Sequence, residues 1–328
     1  MKTIHEFENF FNNNMFDDLS ALEERRKRIL KFAILAYLVV FVGVALSFFL
    51  AFLFCFEGNC ILFAIIGGIA ASIIIGVVIF YVNGRDKEFY LDFKEKVIHA
   101  VIKFISPDLE YNAKNYIGLD TFQRSRIFTK RVDRYRGDDM VEGKIDKTHI
   151  WFSEVHAEYK QTTTDSKGRT KTSYHKIFKG LFFIADFNKH FSSSTVVMPN
   201  LLGKSGIARF FNKMSPGRHE KFVSLEDPDF NKYFVVYGED QIEARYILST
   251  SLMKRITDFK QKHKNTIYLS FVNSFLYVGI SYSKNLFEPS YFKKLTRFEI
   301  VKNYFEDVQL AISIVEELNL NTRIWTKQ

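Results

Sequence analysis

Two long uncharged stretches near the start of the chain dominate its hydrophobic pattern. Residues 32–56 and 60–84 contain no charged side chain, and Glu57 is the only charge between them. At about 1.5 Å rise per residue, a helix over either stretch crosses a hydrocarbon core of about 30 Å. The connector between them is short, so the pattern predicts an antiparallel transmembrane hairpin over residues 32–84. A buried hairpin in a soluble core is the alternative, but two such runs in tandem are rare there.

Lysine and arginine residues lie at both outer ends of this hairpin, and the connector has none. By the positive-inside rule, both termini lie in the cytoplasm and the turn at Glu57 lies outside. We therefore expect a two-span protein of a bacterial inner membrane, with residues 1–31 and 85–328 in the cytoplasm. The basic residues are Arg25, Arg26, Lys27, Arg28 and Lys31 before the first span, and Arg85 and Lys87 after the second.

Small residues recur at every fourth position in both spans. Such a ridge lets helix backbones approach closely. In an antiparallel hairpin, Ser47 would lie opposite Gly68, and Gly43 opposite Ser72, so we expect the two ridges to face each other. A ridge used for a homodimer, or the ordinary frequency of small residues in membrane helices, would give the same pattern. The ridges consist of Gly43, Ser47 and Ala51 in the first span, and Ala64, Gly68, Ser72 and Gly76 in the second.

The two cysteines, Cys55 and Cys60, flank the predicted outside turn. An oxidising periplasm would permit a disulfide between them. Two ordinary thiols in apolar spans are an equally good interpretation, and the sequence leaves both open. Since neither cysteine lies in the predicted cytoplasmic part, neither is a credible cytoplasmic nucleophile.

Outside the spans, the pattern alternates between helical and strand periodicity. Residues 1–31 predict an amphipathic helix that lies on the membrane or packs on the protein. Residues 87–105 predict a second helix, and a cluster of strands and two further helices follow. This order predicts an α+β fold: a mixed, largely antiparallel β domain with flanking helices. The predicted later elements are strands at 150–159, 174–187, 194–198, 221–225, 233–237, 267–272 and 275–282, and helices at 249–262 and 296–318.

The charge distribution changes the picture of partners. The chain carries a formal net charge of +9; residues 1–31 are neutral and the spans carry only Glu57, so residues 85–328 carry +10. That sign suits the inner face of an anionic membrane, so membrane lipid is the first expected partner. Nucleic acid is not expected, because acidic residues are interspersed with the basic ones and no nucleic-acid-binding motif is present.

Two basic segments are candidate sites for phosphate or lipid headgroups. A solvated strand edge dressed with basic residues is the commoner explanation of the first, and a surface helix docked on the sheet is the favoured explanation of the second. The side chains concerned are Arg124, Arg126, Lys130, Arg131, Arg134 and Arg136 in the first segment, and Lys204, Arg209 and Lys213 in the second. Gly203-Lys204-Ser205 resembles the end of a phosphate-binding loop, but Met198 occupies the position of the earlier glycine that such a loop requires.

No residue set reaches a catalytic signature. Glu154, His156 and Glu158 alternate along one predicted strand, and His175 comes from its neighbour, so together they could ligate a divalent ion. A polar outer face is the stronger interpretation, and we expect neither a metal nor a cofactor. No order of serine, histidine and aspartate matches a known nucleophile motif.

Several short motifs resemble the bacterial domain-of-unknown-function family numbered 3137. They occur in order from the basic residues before the first span to the strand near Ile280, and they include 136–139, 151–155, 178–189, 225–230, 237–240, 243–248 and 276–280. The resemblance implies a two-span bacterial inner-membrane protein with a cytoplasmic α+β domain. It also implies an envelope partner of the LemA type, and it supplies no catalytic residues.

Two hypotheses of function follow. The first is a membrane-tethered interaction or scaffold module whose domain binds a protein partner at the anionic leaflet, with a homo-oligomer left open. The second is a membrane-bound enzyme or binding protein for a lipid or phosphorylated ligand. In the second, the stretch from Arg124 to Arg136 would clamp phosphate, and Asp139, Glu154, His156 or Glu158 would do acid–base work. It predicts a concave pocket that gathers those side chains.

Overall fold

The computed structural model of the chain describes residues 2–54, 68, 72, 87–187, 191–200 and 220–320. The second predicted span, apart from Gly68 and Ser72, therefore lies outside the described residues, as do Cys55, Cys60 and the turn at Glu57. Contacts between Cα atoms divide the chain into two compact units. The helical unit comprises residues 2–100 and 288–303, and the sheet unit comprises residues 101–287 and 304–320.

The helical unit begins with three consecutive helical elements, α1 (Ile4–Phe10), a π-helical turn (Phe11–Met15) and α2 (Phe16–Phe54). Thr3 caps α1: its side chain accepts from the backbone N–H of Glu6, while the Glu6 carboxylate accepts from the backbone N–H of Thr3. The apolar face predicted for residues 1–31 is buried in this unit. Phe7 and Phe11, for example, lie 6.0 and 5.4 Å from the Phe298 ring.

Residues 87–105 are helical, as predicted, and include a π-helical turn (Lys94–Ile98) before α3 (His99–Ile105). Among the described residues, one helix, Ile4–Ser47, is long and apolar enough to cross a membrane by length and composition. The domain boundaries predicted at residues 31 and 84 remain predictions.

The sheet unit is built on nine strands in the order β1-β2-β3-β4-β9-β8-β5-β7-β6. Every pairing between them is antiparallel, which confirms the α+β prediction and its large antiparallel sheet. The strands are β1 (Leu109–Asn112), β2 (Arg134–Ile145), β3 (Thr148–Thr164), β4 (Thr170–Asp186), β5 (Thr195–Pro199), β6 (Lys221–Val223), β7 (Phe234–Gly238), β8 (Ile267–Val272) and β9 (Phe275–Ser281).

Further helices lie between the strands and after the last one in chain order. At the start of the helix Thr250–Lys262, the Ser249 hydroxyl accepts from the backbone N–H of Leu252. The apolar side chains Ile256 and Phe259 of this helix are buried. The remaining helices are α4 (Leu119–Arg124), α5 (Pro228–Tyr233), α6 (Gln241–Ile247), α7 (Thr250–Lys262) and α8 (Phe298–Glu317).

Strands β3 and β4 form a hairpin that is longer than the sheet around it. Residue pairing between them continues from Ile150 opposite Ala185 to Thr164 opposite Thr170. The neighbouring strands stop earlier: β2 pairs with β3 only as far as Glu158, and β9 pairs with β4 only from Gly180 onward. The outer part of the hairpin, residues 159–175, is therefore a two-stranded arm, which we call the β-arm.

Candidate functional site

The basic stretch of residues 124–136 spans the end of α4, the following loop and the start of β2. Arg126, in the loop, has a left-handed backbone with φ of 57°. Its guanidinium donates to the Ser194 hydroxyl at 3.1 Å and pairs with the carboxylate of Glu239. Burial alone would raise the pKa of Glu239, but hydrogen bonds from Ser194 and Arg126 outweigh burial and lower it. Arg126 therefore contributes to holding the Ser194 segment in place.

The other basic side chains of this stretch each meet a different neighbour. Lys130 lies 3.5 Å from the centre of the Tyr159 ring, and Arg134 lies 3.3 Å from the centre of the Tyr174 ring. Both rings belong to the base of the β-arm, so these cation–π contacts fasten the loop and β2 to it. Arg136 lies 2.7 Å from Nδ1 of His156, and Arg131, which is highly exposed, lies 3.6 Å from Asp133.

Arg124 differs from the rest of this stretch. It is the last residue of α4, it is exposed, and it makes no hydrogen bond or ion pair with any described residue. Its side chain lines a cavity of about 340 Å³ on one face of the sheet. Of the predicted headgroup-binding residues that the structure describes, it is the one with both a concave environment and an uncompensated charge.

The floor of this cavity is a row of three side chains on adjacent strands. Trp151 on β3 lies directly opposite Ile184 on β4, and Ile184 lies directly opposite Tyr277 on β9. Side chains in such a row point to the same face of the sheet. The remaining lining residues are Phe275 and Met140 from the strands, and Tyr116, Ile117, Gly118, Thr121 and Arg124 from the segment that forms the wall.

The wall segment is fixed to the sheet by hydrogen bonds at Ile117. Its backbone N–H donates to the Ser153 hydroxyl at 3.0 Å, and its carbonyl accepts from the Tyr135 hydroxyl at 2.6 Å. Burial raises the pKa of Tyr135, so its hydroxyl stays protonated and keeps donating. Gly137 permits a close approach here, because a Cβ on it would lie 2.8 Å from Cβ of Tyr116. The cavity is therefore preformed.

Aromatic packing holds α4 against the same face. The Phe122 ring stacks on Phe128 with 5.3 Å between centroids and lies 5.0 Å from the Phe182 ring. Phe122 and Phe182 are essentially inaccessible to solvent. Because Thr121 and Arg124 lie three positions apart on this short helix, anchoring Phe122 also places both of them at the cavity.

Three polar groups of the cavity have no hydrogen-bond partner in the described part of the chain. The side chain of Tyr277 is 5% exposed, yet its hydroxyl makes no hydrogen bond with any described residue. The same holds for the Trp151 indole N–H and the Thr121 hydroxyl among the described residues. Burial raises the pKa of Tyr277, while the nearby charge of Arg124 opposes the shift. The cavity therefore presents apolar walls, neutral donors and one cation.

The residues considered for metal binding or acid–base chemistry lie on the other face of β3. Ser153, which holds the cavity wall, is separated from Glu154 and His156 by strand alternation. The carboxylate of Glu154 accepts from the backbone N–H of Leu286 at 2.6 Å. His156 is 3.5 Å from Glu158, and burial and the charge of Arg136 lower its pKa. His175 stacks instead on Tyr159 in the β-arm, 5.3 Å between centroids.

Three acidic groups could hold a metal ion on that face. Carboxylate oxygens of Asp138, Asp139 and Glu154 lie within 4.8 Å of one another, and Asp139 and Glu154 are buried. Asp139 occupies a bulge in β2 with φ of 61°, and it accepts a 2.5 Å hydrogen bond from the Tyr111 hydroxyl. The cavity gathers none of these acids, so the pocket that the enzyme hypothesis predicted does not form at the cavity.

The basic residues before the first span divide into two sets. Arg25 pairs with Asp92 and, at 3.1 Å, with Glu88; Arg26 pairs at 2.8 Å with Glu23; and Lys27 pairs at 2.8 Å with Glu24. The two nearest the apolar stretch, Arg28 and Lys31, are exposed or half-buried and have no partner among the described residues. Among these five basic residues, they are therefore the two whose charges no described side chain compensates.

The ridge serines bond within their own helices. Ser47 donates to the carbonyl of Gly43, and Ser72 donates to that of Gly68, each at 2.8 Å. A Cβ on either glycine would meet nothing within 4 Å. Ala64 and Gly76 lie outside the described residues, and the Ala51 side chain is not described, so the facing of the ridges remains a prediction. Lys204, Arg209 and Lys213 also lie outside the described residues.

The fold and its site define an α+β protein with a large antiparallel sheet, a sheet-face cavity and a long helix that exposes an apolar stretch. Residues 176–320 match the sequence model of the family described as Protein of unknown function (DUF3137), which confirms the resemblance seen in the motifs. No curated protein matches the chain. Among solved structures, the mycobacterial trehalose monomycolate transport factor A, TtfA, aligns at 9% identity and a TM-score of 0.35, over 65% of this chain and 93% of that one.

Proposed function

We propose that the protein is a membrane-tethered interaction or scaffold module, which a transmembrane hairpin holds at the cytoplasmic face of a bacterial inner membrane. The observation that carries this proposal is the exposed apolar stretch of α2. Tyr37 and Phe41 are 69% and 72% exposed, and their large apolar neighbours are similarly bare. A soluble protein rarely leaves so continuous an apolar surface in water, whereas a bilayer covers it without cost.

The orientation of the hairpin follows from charge. Arg28 and Lys31 stand directly before the apolar stretch, and Lys87 follows the second predicted span. Cations at both outer ends, and none at the Glu57 turn, favour two spans with both termini in the cytoplasm. Anionic lipid attracts such residues by about 1 kcal/mol each. The exposed Lys130 of the sheet unit is a further candidate headgroup contact.

The β-arm is the surface that we assign to a protein partner. Among the described residues, its two strands pair only with each other. Apart from the Lys160 N–H, which donates to the Asp133 carboxylate at 2.7 Å, each strand offers a backbone edge to which a partner strand can add. Lys160, Lys167, Arg169 and Lys171 give the arm a basic surface, with Asp165 the acid at its tip. The partner is an acidic segment of an envelope protein, for which a LemA-type protein is the candidate, and a second copy of the chain is the alternative.

Cysteine labelling in intact cells tests the tether. In a background with Cys55→Ala and Cys60→Ala, Gly58→Cys should react with an impermeant maleimide, and Ser166→Cys at the tip of the β-arm should react only after permeabilisation. Ser166 is preferred to Gly168, whose φ of 75° strains other residues. Labelling of Ser166→Cys but not Gly58→Cys in intact cells would overturn the topology.

Site-specific photo-crosslinking tests the interaction surface. A photoreactive residue at Thr163, on the β-arm, should join the chain to one reproducible envelope protein or to a second copy. The same residue at Ile242, which is 80% exposed on α6 in the same unit, serves as the matched control. Equal products from both positions, or none from Thr163, would count against the β-arm as the docking surface while leaving the tether intact.

A further inference from the structure

We infer that the cavity under α4 binds a small amphipathic anion, an apolar body of medium-chain acyl size that carries one carboxylate or phosphate group, with Arg124 as the anion-binding residue. This inference concerns the sheet unit alone and does not depend on the membrane tether. It rests on the shape of the cavity, on its chemistry and on the absence of partners for its polar groups among the described residues.

The size and lining fit a small ligand with an apolar body. A volume of about 340 Å³ lies at the lower end of the range of small-molecule sites, about 300–1,000 Å³. Trp151, Ile184, Phe275 and Met140 supply apolar surface, which is the usual lining of such sites. The hydrogen bonds at Ile117 fix the wall before a ligand arrives, so little ordering cost accompanies binding.

The charge in the cavity lining favours an anionic ligand. Arg124 is the only charged residue in the lining, and no described carboxylate neutralises it. A guanidinium binds carboxylate and phosphate oxygens through paired, charge-assisted hydrogen bonds. The remaining cations of residues 126–136 have carboxylate, ring or imidazole neighbours, so Arg124 alone joins an available charge to an apolar cavity.

The side chain of Tyr277 is a second indication. Tyr277 is only 5% exposed, it lines the cavity, and its hydroxyl has no hydrogen-bond partner among the described residues. This hydroxyl is therefore a donor that a ligand in the cavity can use. A ligand oxygen held by Arg124 would also accept from Tyr277 or Thr121, which satisfies these donors and orients the anionic group.

The fluorescence of Trp151 reports directly on occupancy. The chain has two tryptophans, Trp151 and Trp325, so Trp325→Phe leaves the one in the cavity as the sole indole. The full chain in nanodiscs of zwitterionic lipid would be titrated with octanoate, octyl phosphate, the neutral octanol and inorganic phosphate. We expect octanoate and octyl phosphate to change Trp151 emission saturably, octanol to bind more weakly, and inorganic phosphate to have no effect.

Two variants separate the charge from the cavity. Arg124→Gln should weaken octanoate about ten- to hundredfold and leave octanol unchanged, because it removes a charge-assisted hydrogen bond. Gly118→Leu should abolish both, since Gly118 lines the cavity at φ −63° and a Cβ there meets nothing within 4 Å. Arg131→Gln, a highly exposed arginine outside the cavity, is the matched control and should bind like the parent.

Nanodiscs of anionic lipid distinguish the sources of the ligand. Loss of octanoate binding there, by competition, would assign the cavity to a membrane lipid, and unchanged binding would assign it to a soluble anion.

The inference is overturned if neither anion perturbs Trp151, if Gly118→Leu leaves the titration unchanged, or if Arg124→Gln weakens octanol as much as octanoate. None of these outcomes alters the labelling that tests the tether.

Discussion

The two halves of helix α2 have the same backbone but opposite surroundings. In residues 16–31, Leu19 and Leu22 are buried, and Glu23 and Arg26 form a buried ion pair within the helical unit. In residues 32–49, the large apolar side chains are mostly exposed. The first half of α2 thus buries charged side chains, whereas the second half exposes apolar ones.

This difference bears on the solvent that each half favours. Apolar surface left in water costs about 25 cal/mol per Å², so a helix that exposes one large apolar side chain after another favours an apolar medium. The first half satisfies its polar groups through Glu23, Arg26 and the backbone of residues 291–295, as a protein interior demands. The change from protein interior to proposed bilayer takes place at Arg28 and Lys31.

The largest effect is expected when charge is placed in the apolar half of α2. Leu38→Lys combined with Val42→Lys should prevent the first span from inserting, because a lysine at the bilayer centre costs about 2.5–3.5 kcal/mol. Loss of outside labelling at Gly58→Cys measures the effect. Leu38→Ala with Val42→Ala, which adds no charge, should retain the label; a lysine variant that labels like the parent would show that residues 32–49 do not cross the bilayer.

The next largest effect is expected in the buried half. Glu23→Ala leaves the Arg26 guanidinium buried without its carboxylate, which costs about 3–5 kcal/mol for a buried pair. Faster hydrogen exchange across residues 16–31 of the full chain in nanodiscs would measure the loss. Glu24→Ala is the matched control, because Glu24 pairs with Lys27 on the exposed side of the same turn and such pairs contribute about 0–1 kcal/mol. Equal effects would contradict the burial of Glu23.

A pH titration should reproduce part of that loss. Burial alone would raise the pKa of Glu23, but hydrogen bonds from Arg26 and from the backbone N–H of Leu295 outweigh it and lower the pKa. The carboxylate therefore stabilises the fold above its unfolded pKa of about 4.3, and this contribution is lost as pH falls through the lower folded value. The melting temperatures of parent and Glu23→Ala should differ at neutral pH and converge in acid. A constant difference would mean that the charge of Glu23 is irrelevant.

Sequence patterns predicted much of the fold because the elements concerned satisfy local rules. Strands at 267–272 and 275–281 and the helix after Ser249 follow from alternation and a cap. Strand β2 was not predicted as a strand, because Arg134, Arg136, Asp138 and the bulge at Asp139 disrupt its alternation. Likewise, the alternation predicts strand only up to residue 159 and again from 174, yet pairing continues to Thr164 opposite Thr170.

The cavity could not be predicted from the sequence. Its floor joins Trp151, Ile184 and Tyr277 through strand register, which no local pattern encodes. Arg124 had the same sequence signal as Arg126 and Arg134, and only the fold shows that its neighbours have partners while it does not. Its proximity to the aromatic floor depends on the anchoring of Phe122. The sequence therefore indicates the basic stretch, but only the structure singles out Arg124 within it.

The smallest expected effect lies at the junction of the two halves. Arg28→Gln with Lys31→Gln should reduce the stabilisation that anionic lipid gives the chain, by about 1 kcal/mol per residue, because these cations have no described protein partner. The measurement is the difference in melting temperature between anionic and zwitterionic nanodiscs, and added salt should shrink that difference in the parent. Lys27→Gln, whose charge is already paired with Glu24, should preserve most of it. If Lys27→Gln and the double variant act alike, the division between paired and available cations before the span is wrong.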